Sequence, residues 1–218
     1  VALGAWPLIV GSGVFAGAIS GSGGLTKMGT GVLTLSGRLT YAGPTMVRQG
    51  TLLLNGTHVG AGVYSVSPGA TLGGTGSTEA DLMVEPGGVL SPGMSIGDLS
   101  IRGNLDLGGT LLIEIDPALP QPIDHLLVEL EMDIRRAAVE FRVGGPLTEP
   151  AYVFATYGTL IGEQFAEVHN LPDGYWIDYN YLGGNQIALV PEPATSTLLA
   201  LAGGALLVGW LWRCRRKR

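Results

Sequence analysis

A short phrase returns along the first half of the chain: a glycine, alternating apolar residues, then another glycine. It reads GVLTLSG at 31–37 and GTLLLNG at 50–56, with fainter copies PGATLGG at 68–74 and PGGVLSPG at 86–93. GNLDLGG at 103–109 and GTLLIEI at 109–115 extend the series. Gly31, Gly50 and Gly69 stand 19 residues apart, and Pro68 and Pro86 stand 18 apart. Within the first copy Leu33 and Leu35 fall on one side and Val32, Thr34 and Ser36 on the other. That period of two is the mark of a strand with one buried face. A strand so short cannot bury its leucines alone, so its copies must stack. Stacking at a pitch near 19 residues predicts the coils of a parallel β-solenoid. The flanking glycines are expected to supply the positive φ of sharp turns.

Composition agrees. Glycine contributes 36 of 218 residues and charged residues only 14%, against about 25% charged in an average chain. Glycine at this level weakens helix interiors, while its spacing lacks the every-third-position rule of collagen. The apolar content of 46% is too high for a disordered chain. A leucine-rich repeat would need a Leu-x-x-Leu-x-Leu frame with an Asn or Cys anchor, which is missing. A calcium-binding nonapeptide repeat would need an aspartate where GGTGST at 73–78 has Thr78. The first residue is Val1, and the opening VALGAWPLIVGSGVFAGAIS has no basic residue ahead of its apolar run. It makes a poor export leader, and the chain reads as the C-terminal piece of a longer protein.

The formal charge of −6 hides an asymmetry. Residues 1–193 hold seven basic and all eighteen acidic side chains, whereas 194–218 hold five basic and no acidic ones. A body this negative would repel phosphate backbones, which excludes nucleic acid as a partner. The one cysteine, Cys214, lies among the C-terminal basic residues, so the body carries no disulfide.

FAGAISGSGGLTKMGTGVLTLSGRLTYAGPTMVRQGTLLLNG, residues 15–56, closely resembles the autotransporter-associated β-strand repeat of large bacterial surface proteins. The matching elements are SGSGGLTK, GTGVLTLSG, the Tyr41–Gly43 step and GTLLLNG. SPGMSIGDLSIRGNLDLGGTLLIEI, residues 91–115, resembles the segment that follows the last such repeat. The resemblance implies a β-helical stalk exposed outside the cell and no activity.

DPALPQP at 116–122 interrupts the pattern with three prolines and marks a boundary or a turn. Beyond it, Leu126, Val128, Leu130, Met132 and Ile134 alternate with mostly charged neighbours, and Ala137, Val139, Phe141 and Val143 resume after Arg135-Arg136. Period two fits this stretch better than a helical period, which predicts two strands joined at the arginine pair. Further strands are expected at 152–157, 175–180 and 186–190. The stretch would cap the solenoid, either by continuing its sheets or as a small β-sandwich.

Candidate chemistry is sparse. His58, His125 and His169 are far apart, with no second ligand at metal spacing, and read as surface or loop histidines. Glu129, Glu131 and Asp133 form a carboxylate stripe of the kind glycosidases use, but one strand face accounts for it as a solvated surface. GSGVFAG and GSGGLTK lack the ending of a phosphate loop. Asn55-Gly56-Thr57 reads as a turn after a strand. A polysaccharide-cleaving β-helix would need acidic and basic groups clustered on one face. Residues 21–109 offer only Lys27, Arg38, Arg48 and Arg102 as bases, with Asp81, Glu85 and Asp98 as the carboxylates to test.

The C-terminus differs from everything before it. Residues 194–212 are 19 consecutive uncharged residues, followed by Arg213, Arg215, Arg216, Lys217 and Arg218. As a helix the run would be about 28 Å long, close to the bilayer core. Trp210 and Trp212 suit the interface, and the basic cluster would stay on the cytoplasmic side. Small residues four apart, Ala200/Gly204 and Ala205/Gly209, would allow close helix packing. Directly ahead stand Pro191, Glu192 and Pro193, two helix-breaking residues around a carboxylate. Val-Pro-Glu-Pro, small and hydroxyl residues, an apolar run and an arginine-rich end strongly resemble the PEP-CTERM sorting signal over residues 190–218. That resemblance implies recognition by an exosortase, an integral membrane enzyme that removes the tail during export.

The sequence therefore predicts an all-β chain: a parallel β-helix over 1–116, a β-rich cap over 117–190 and a sorting tail over 191–218 with one transmembrane helix at 194–212. The expected partners are the exosortase in the inner membrane, the lipid bilayer and an extracellular polysaccharide. No cofactor, metal or catalytic residue is expected. The protein would enter the inner membrane with its C-terminus cytoplasmic and reach the cell surface after processing. The competing readings are a carbohydrate-active β-helix, a stalk permanently anchored by its helix, and a self-transporting adhesin. The last would end in a barrel of many alternating strands where this sequence has a single apolar run.

Overall fold

The computed structural model describes residues 1–93 and 95–193. The expected transmembrane helix at 194–212 and the basic cluster at 213–218 lie outside the described residues.

Alternating strands and tight turns wind the chain into coils. The first two coils are β1 (Ala2–Leu3), β2 (Leu8–Val10), β3 (Gly13–Phe15) and β4 (Ile19–Gly21), β5 (Leu25–Lys27), β6 (Val32–Leu35). The third and fourth are β7 (Arg38–Tyr41), β8 (Thr45–Val47), β9 (Gly50–Leu54) and β10 (Thr57–His58), β11 (Tyr64–Val66), β12 (Ala70–Gly74). The fifth and sixth are β13 (Ser77–Thr78), β14 (Leu82–Val84), β15 (Val89–Pro92) and β16 (Asp98–Ile101), β17 (Leu105–Leu107), β18 (Thr110–Ile115). Each strand pairs in parallel with its counterpart one coil on, so three stacks run the length of the body. This arrangement of parallel strands in stacked sheets is consistent with a β-solenoid.

The recurring phrase is one third of a coil. GVLTLSG, GTLLLNG, PGATLGG and PGGVLSPG supply β6, β9, β12 and β15 of the third stack, with GTLLIEI supplying β18. GNLDLGG is no further copy of that strand. It forms β17 in the second stack, within the same coil as β18. The pitch also varies: Leu8 sits opposite Leu25 and Val32 opposite Thr51, but Leu126 sits opposite Ala155.

Two kinds of glycine hold the phrase. Gly50, which opens it, has φ +70° and turns the chain. Gly37 and Gly56, which close the first two copies, have no positive φ; they are needed because the coils touch. A Cβ on Gly37, Gly56 or Gly76 would collide with the carbonyl of Gly17, Gly37 or Gly56 respectively in the coil beneath.

The prolines of 116–122 form a turn that leaves the sheet at Ile115 and returns at Ile123, where the two residues bridge. Beyond it the sheets continue, the first of the two forms left open for this stretch. β19 (His125–Asp133) pairs with β16 through its first half and β17 through its end, so it joins the first two stacks. β20 (Ala138–Val143), β21 (Tyr152–Ile161) and β22 (Glu167–His169) extend the parallel ladders. Arg135 and Arg136 do lie in the turn between β19 and β20. The alternation fails at two points: Leu130 is 53% exposed and Val143 41%. The β19–β21 register shifts between Val128 and Glu131 as the strand bends from one stack to the next.

The described residues finish with an antiparallel hairpin, β23 (Tyr175–Asp178) and β24 (Gln186–Pro191), with β24 laid antiparallel on β21. Between them lies a 3-10 turn, Tyr181–Gly183. Among the described residues no helix is long and apolar enough to cross a membrane.

Leucines dominate the solenoid interior, with Leu25, Leu39, Leu52, Leu90, Leu111 and Leu126 fully buried. Aromatic residues take over at the C-terminal end. The Phe141 and Phe154 rings meet edge to face at 5.4 Å, Phe165 lies 6.5 Å from Phe154, and Tyr179 lies 5.7 Å from Phe165.

Candidate functional site

The Pro-Glu-Pro segment is continuous with the last strand. β24 reads QIALVP, and its Ile187, Ala188 and Leu189 are fully buried between β21 and β23. Proline lacks the N–H that a ladder needs and suits a strand end. Pro191 takes that place, opposite Tyr175. One residue further the Glu192 N–H donates to the Gly174 carbonyl at 2.7 Å. Gly174 has φ +75° and turns the chain into β23. Pro191, Glu192 and Pro193 are all exposed.

The strand beneath is fixed in turn. Tyr175 packs against Tyr152 with ring centroids 6.4 Å apart. Tyr152 is buried, and its hydroxyl accepts the main-chain N–H groups of Thr148 and Glu149 at 2.9 and 3.1 Å. At the other end of the hairpin Tyr157 donates its hydroxyl to the Tyr179 carbonyl at 2.7 Å.

The carboxylates proposed for sugar cleavage do not converge. Asp81 sits at the corner between the first and second stacks and accepts from Asn104; Glu85, at the next corner, accepts from Ser65. Asp98 opens β16 at the third corner and accepts from Gln121. Glu129, Glu131 and Asp133 are spread along the bend of β19, Glu129 beside Arg102 at 3.4 Å and Asp133 beside Arg135 at 2.7 Å. The Arg135 hydrogen bonds hold the Asp133 carboxyl below its usual range.

One arrangement resembles a nucleophile relay. His125 Nε2 lies 2.9 Å from Thr156 Oγ1, and Nδ1 lies 4.0 Å from Asp98 Oδ1. The second distance is too long for the hydrogen bond that would orient an imidazole. An open groove of about 290 Å³ also lies beside Glu114, Asp116, Leu119 and Arg142. Its charges are partly engaged within the fold: Arg142 meets Glu140 at 3.4 Å and Asp116 accepts the Ala118 N–H.

The sequence reading of the histidines needs correction at His58, which is fully buried. Its ring stacks on Tyr41 at 4.4 Å and meets Tyr64 edge-on at 5.4 Å, with Nε2 on the Tyr41 carbonyl at 3.1 Å. Burial lowers its pKa. It occupies β10 where neighbouring coils place Leu39 and Thr78, an interior position that its isolated place in the sequence did not reveal. His125 is partly buried and His169 lies exposed in β22.

Lys27 and Asp124 are the other buried charges that sequence reasoning missed. The Lys27 ammonium donates to the carbonyls of Met28, Gly29 and Gln49 at 3.1, 2.6 and 2.8 Å, tying two consecutive coils. The Asp124 carboxyl accepts the N–H groups of Gly97 and Glu114 at 2.9 and 2.8 Å. Burial pushes its pKa up to about 7. No group of three or more His, Cys, Asp or Glu that could hold a metal occurs among the described residues.

Comparison with known proteins places two elements on the chain. Residues 25–54 match the passenger-associated-transport-repeat, and residues 189–217 match the PEP-CTERM protein-sorting motif. Over 83 residues the chain is 41% identical to the adhesin BmaC autotransporter of Brucella suis biovar 1 (strain 1330), a match covering 38% of this chain and 2% of that protein. Over 99 residues it is 46% identical to an extracellular serine protease of Serratia marcescens, covering 44% of this chain and 9% of that one. The chain thus spans only a small fraction of these relatives. It carries an autotransporter-associated repeat and a PEP-CTERM motif, and part of it is homologous to the autotransporter adhesin.

Proposed function

We propose that this chain is the body and tail of an exported, non-enzymatic surface or extracellular-matrix protein, processed by an exosortase. In this reading residues 1–116 form a stalk, 117–190 close it, and 191–218 are a removable tail. The tail would cross the inner membrane at 194–212, with Arg213, Arg215, Arg216, Lys217 and Arg218 held on the cytoplasmic side by the cost of translocating them.

The observation that carries the reading is the sorting-motif match over 189–217, which begins in the last buried strand and includes the exposed Pro191-Glu192-Pro193. The passenger-type repeat in 25–54 supports an extracellular destination. A scaffolding role is supported by the dispersal of Asp81, Glu85 and Asp98 over three corners of the coil. Glu192→Ala, or replacement of the five basic residues, is expected to leave the full-length chain in the inner membrane fraction. Surface delivery of both variants at the normal level would refute the sorting role.

An uncharged polysaccharide is the extracellular ligand that the charge balance of the body favours. β3, β6, β9, β12 and β15 of the third stack contain no charged residue, while residues 1–193 carry eighteen acidic side chains against seven basic ones. Acidic polymers would be repelled by that balance. Neutral polysaccharide should be retained on immobilised body, and Thr51→Asp with Thr71→Asp should abolish retention.

A further inference from the structure

We infer that the folded end of the β23–β24 hairpin is part of what the processing enzyme recognises, so that the Pro-Glu-Pro segment is read on a platform and not as a free peptide. The inference rests on the sorting role proposed above and adds a surface to it.

Glu192 is held by its own main chain: its N–H donates to the Gly174 carbonyl at 2.7 Å, and the preceding Pro191 lies opposite Tyr175. Only Pro193 separates this anchored residue from the uncharged run beginning at Ala194, so no spacer stands between the sheet and the tail. Two prolines restrict the backbone on either side of the glutamate. The Tyr175–Tyr152 contact and the two N–H groups on the Tyr152 hydroxyl brace the strand beneath. The exposed carboxylate therefore has a fixed origin relative to Asp173, Gly174 and Tyr175.

Peeling the segment off would break one main-chain bond, but extracting all of β24 would expose Ile187, Ala188 and Leu189 to water. The accessible state thus presents the tripeptide with the hairpin closed. The partner is a membrane-associated enzyme whose substrate cleft accepts an extended, carboxylate-bearing segment and abuts the Pro172–Gly174 turn.

Pulse-chase labelling in the native host, with intact mass reporting conversion of the full-length chain to the tail-less form, tests this. Inserting Gly-Ser-Gly-Ser between Val190 and Pro191 keeps Gln186–Val190 in the sheet and the Pro-Glu-Pro tripeptide intact but lets the tripeptide wander over about 11 Å. Conversion should slow by about tenfold. The same insertion between Gly183 and Gly184, in the turn at the far end of the hairpin, should convert normally. Asp178→Cys with Ala188→Cys, directly opposed residues, would lock the hairpin, and that chain should also convert normally.

Normal conversion of the Val190–Pro191 insertion would overturn the platform and leave the sorting role standing. Arrest of the locked chain would overturn it too, by showing that β24 must leave the sheet. Normal conversion of both Glu192→Ala and the variant lacking the five basic residues would remove the sorting role itself, and the platform with it.

Discussion

Lys27 and Asp124 put charge inside a body built from leucine. Each is tolerated because it closes hydrogen bonds that a turn leaves open: three carbonyls around the Lys27 ammonium, and two N–H groups around the Asp124 carboxyl. Lys27→Met would keep much of the volume and strand all three carbonyls. The expected loss is about 2–4 kcal/mol in denaturant unfolding. Asp124→Asn places an amide NH₂ against one of two N–H groups, and at pH 5 should cost about 2 kcal/mol. The pH dependence has a definite sign. The folded pKa of Asp124 is raised from 3.8 to about 7, so the folded state binds the proton more tightly. Its contribution is full below the unfolded pKa and is lost as pH rises through about 7. The gap between wild type and Asp124→Asn should therefore narrow from pH 5 to pH 8, and a gap that widens would contradict this account. His58 acts in the opposite direction: its lowered pKa contributes stability above about 6.5 that is lost as pH falls. Comparing the Asp124 variant with its parent at each pH cancels that effect.

The strand and its two glycines form the unit at the next scale. An opening glycine such as Gly50 turns the chain, and a closing glycine such as Gly56 lets one coil lie against the next. The two positions should respond differently to substitution. At Gly56 an added methyl meets the Gly37 carbonyl, a main-chain atom of the coil beneath. Gly56→Ala is therefore expected to destabilise by about 2–3 kcal/mol. Gly69, whose Cβ would meet open space although its φ is +75°, should lose only about 1 kcal/mol on the same change. Equal losses at the two sites would mean that turn geometry, and not coil contact, sets the requirement.

Across the whole molecule, stability is shared between a leucine-filled solenoid and an aromatic end. Each coil touches mainly its neighbours, so damage should stay near its origin. Phe154→Ala removes a ring that Phe141 and Phe165 both contact, and should cost about 3–5 kcal/mol locally. Hydrogen exchange should show protection falling in β19–β24 while β5–β12 keep most of theirs. Uniform loss along the body would point to a single cooperative unit. The same aromatic end supports the hairpin from which Pro191 and Glu192 emerge.

Period-two alternation was enough to predict short strands and their stacking, because these depend on residues close together in the chain. The strands at 125–133 and 138–143, with Arg135-Arg136 between them, were legible for the same reason. Only the tertiary structure decided how three strands share one coil, which glycines are contact glycines, and that Lys27, His58 and Asp124 lie inside. Those facts depend on neighbours a full coil away, and the corners between strands change the pitch from coil to coil. The Pro-Glu-Pro segment shows both limits: its residue order could be read from sequence, but its attachment to Gly174 depends on a β-hairpin closing around it.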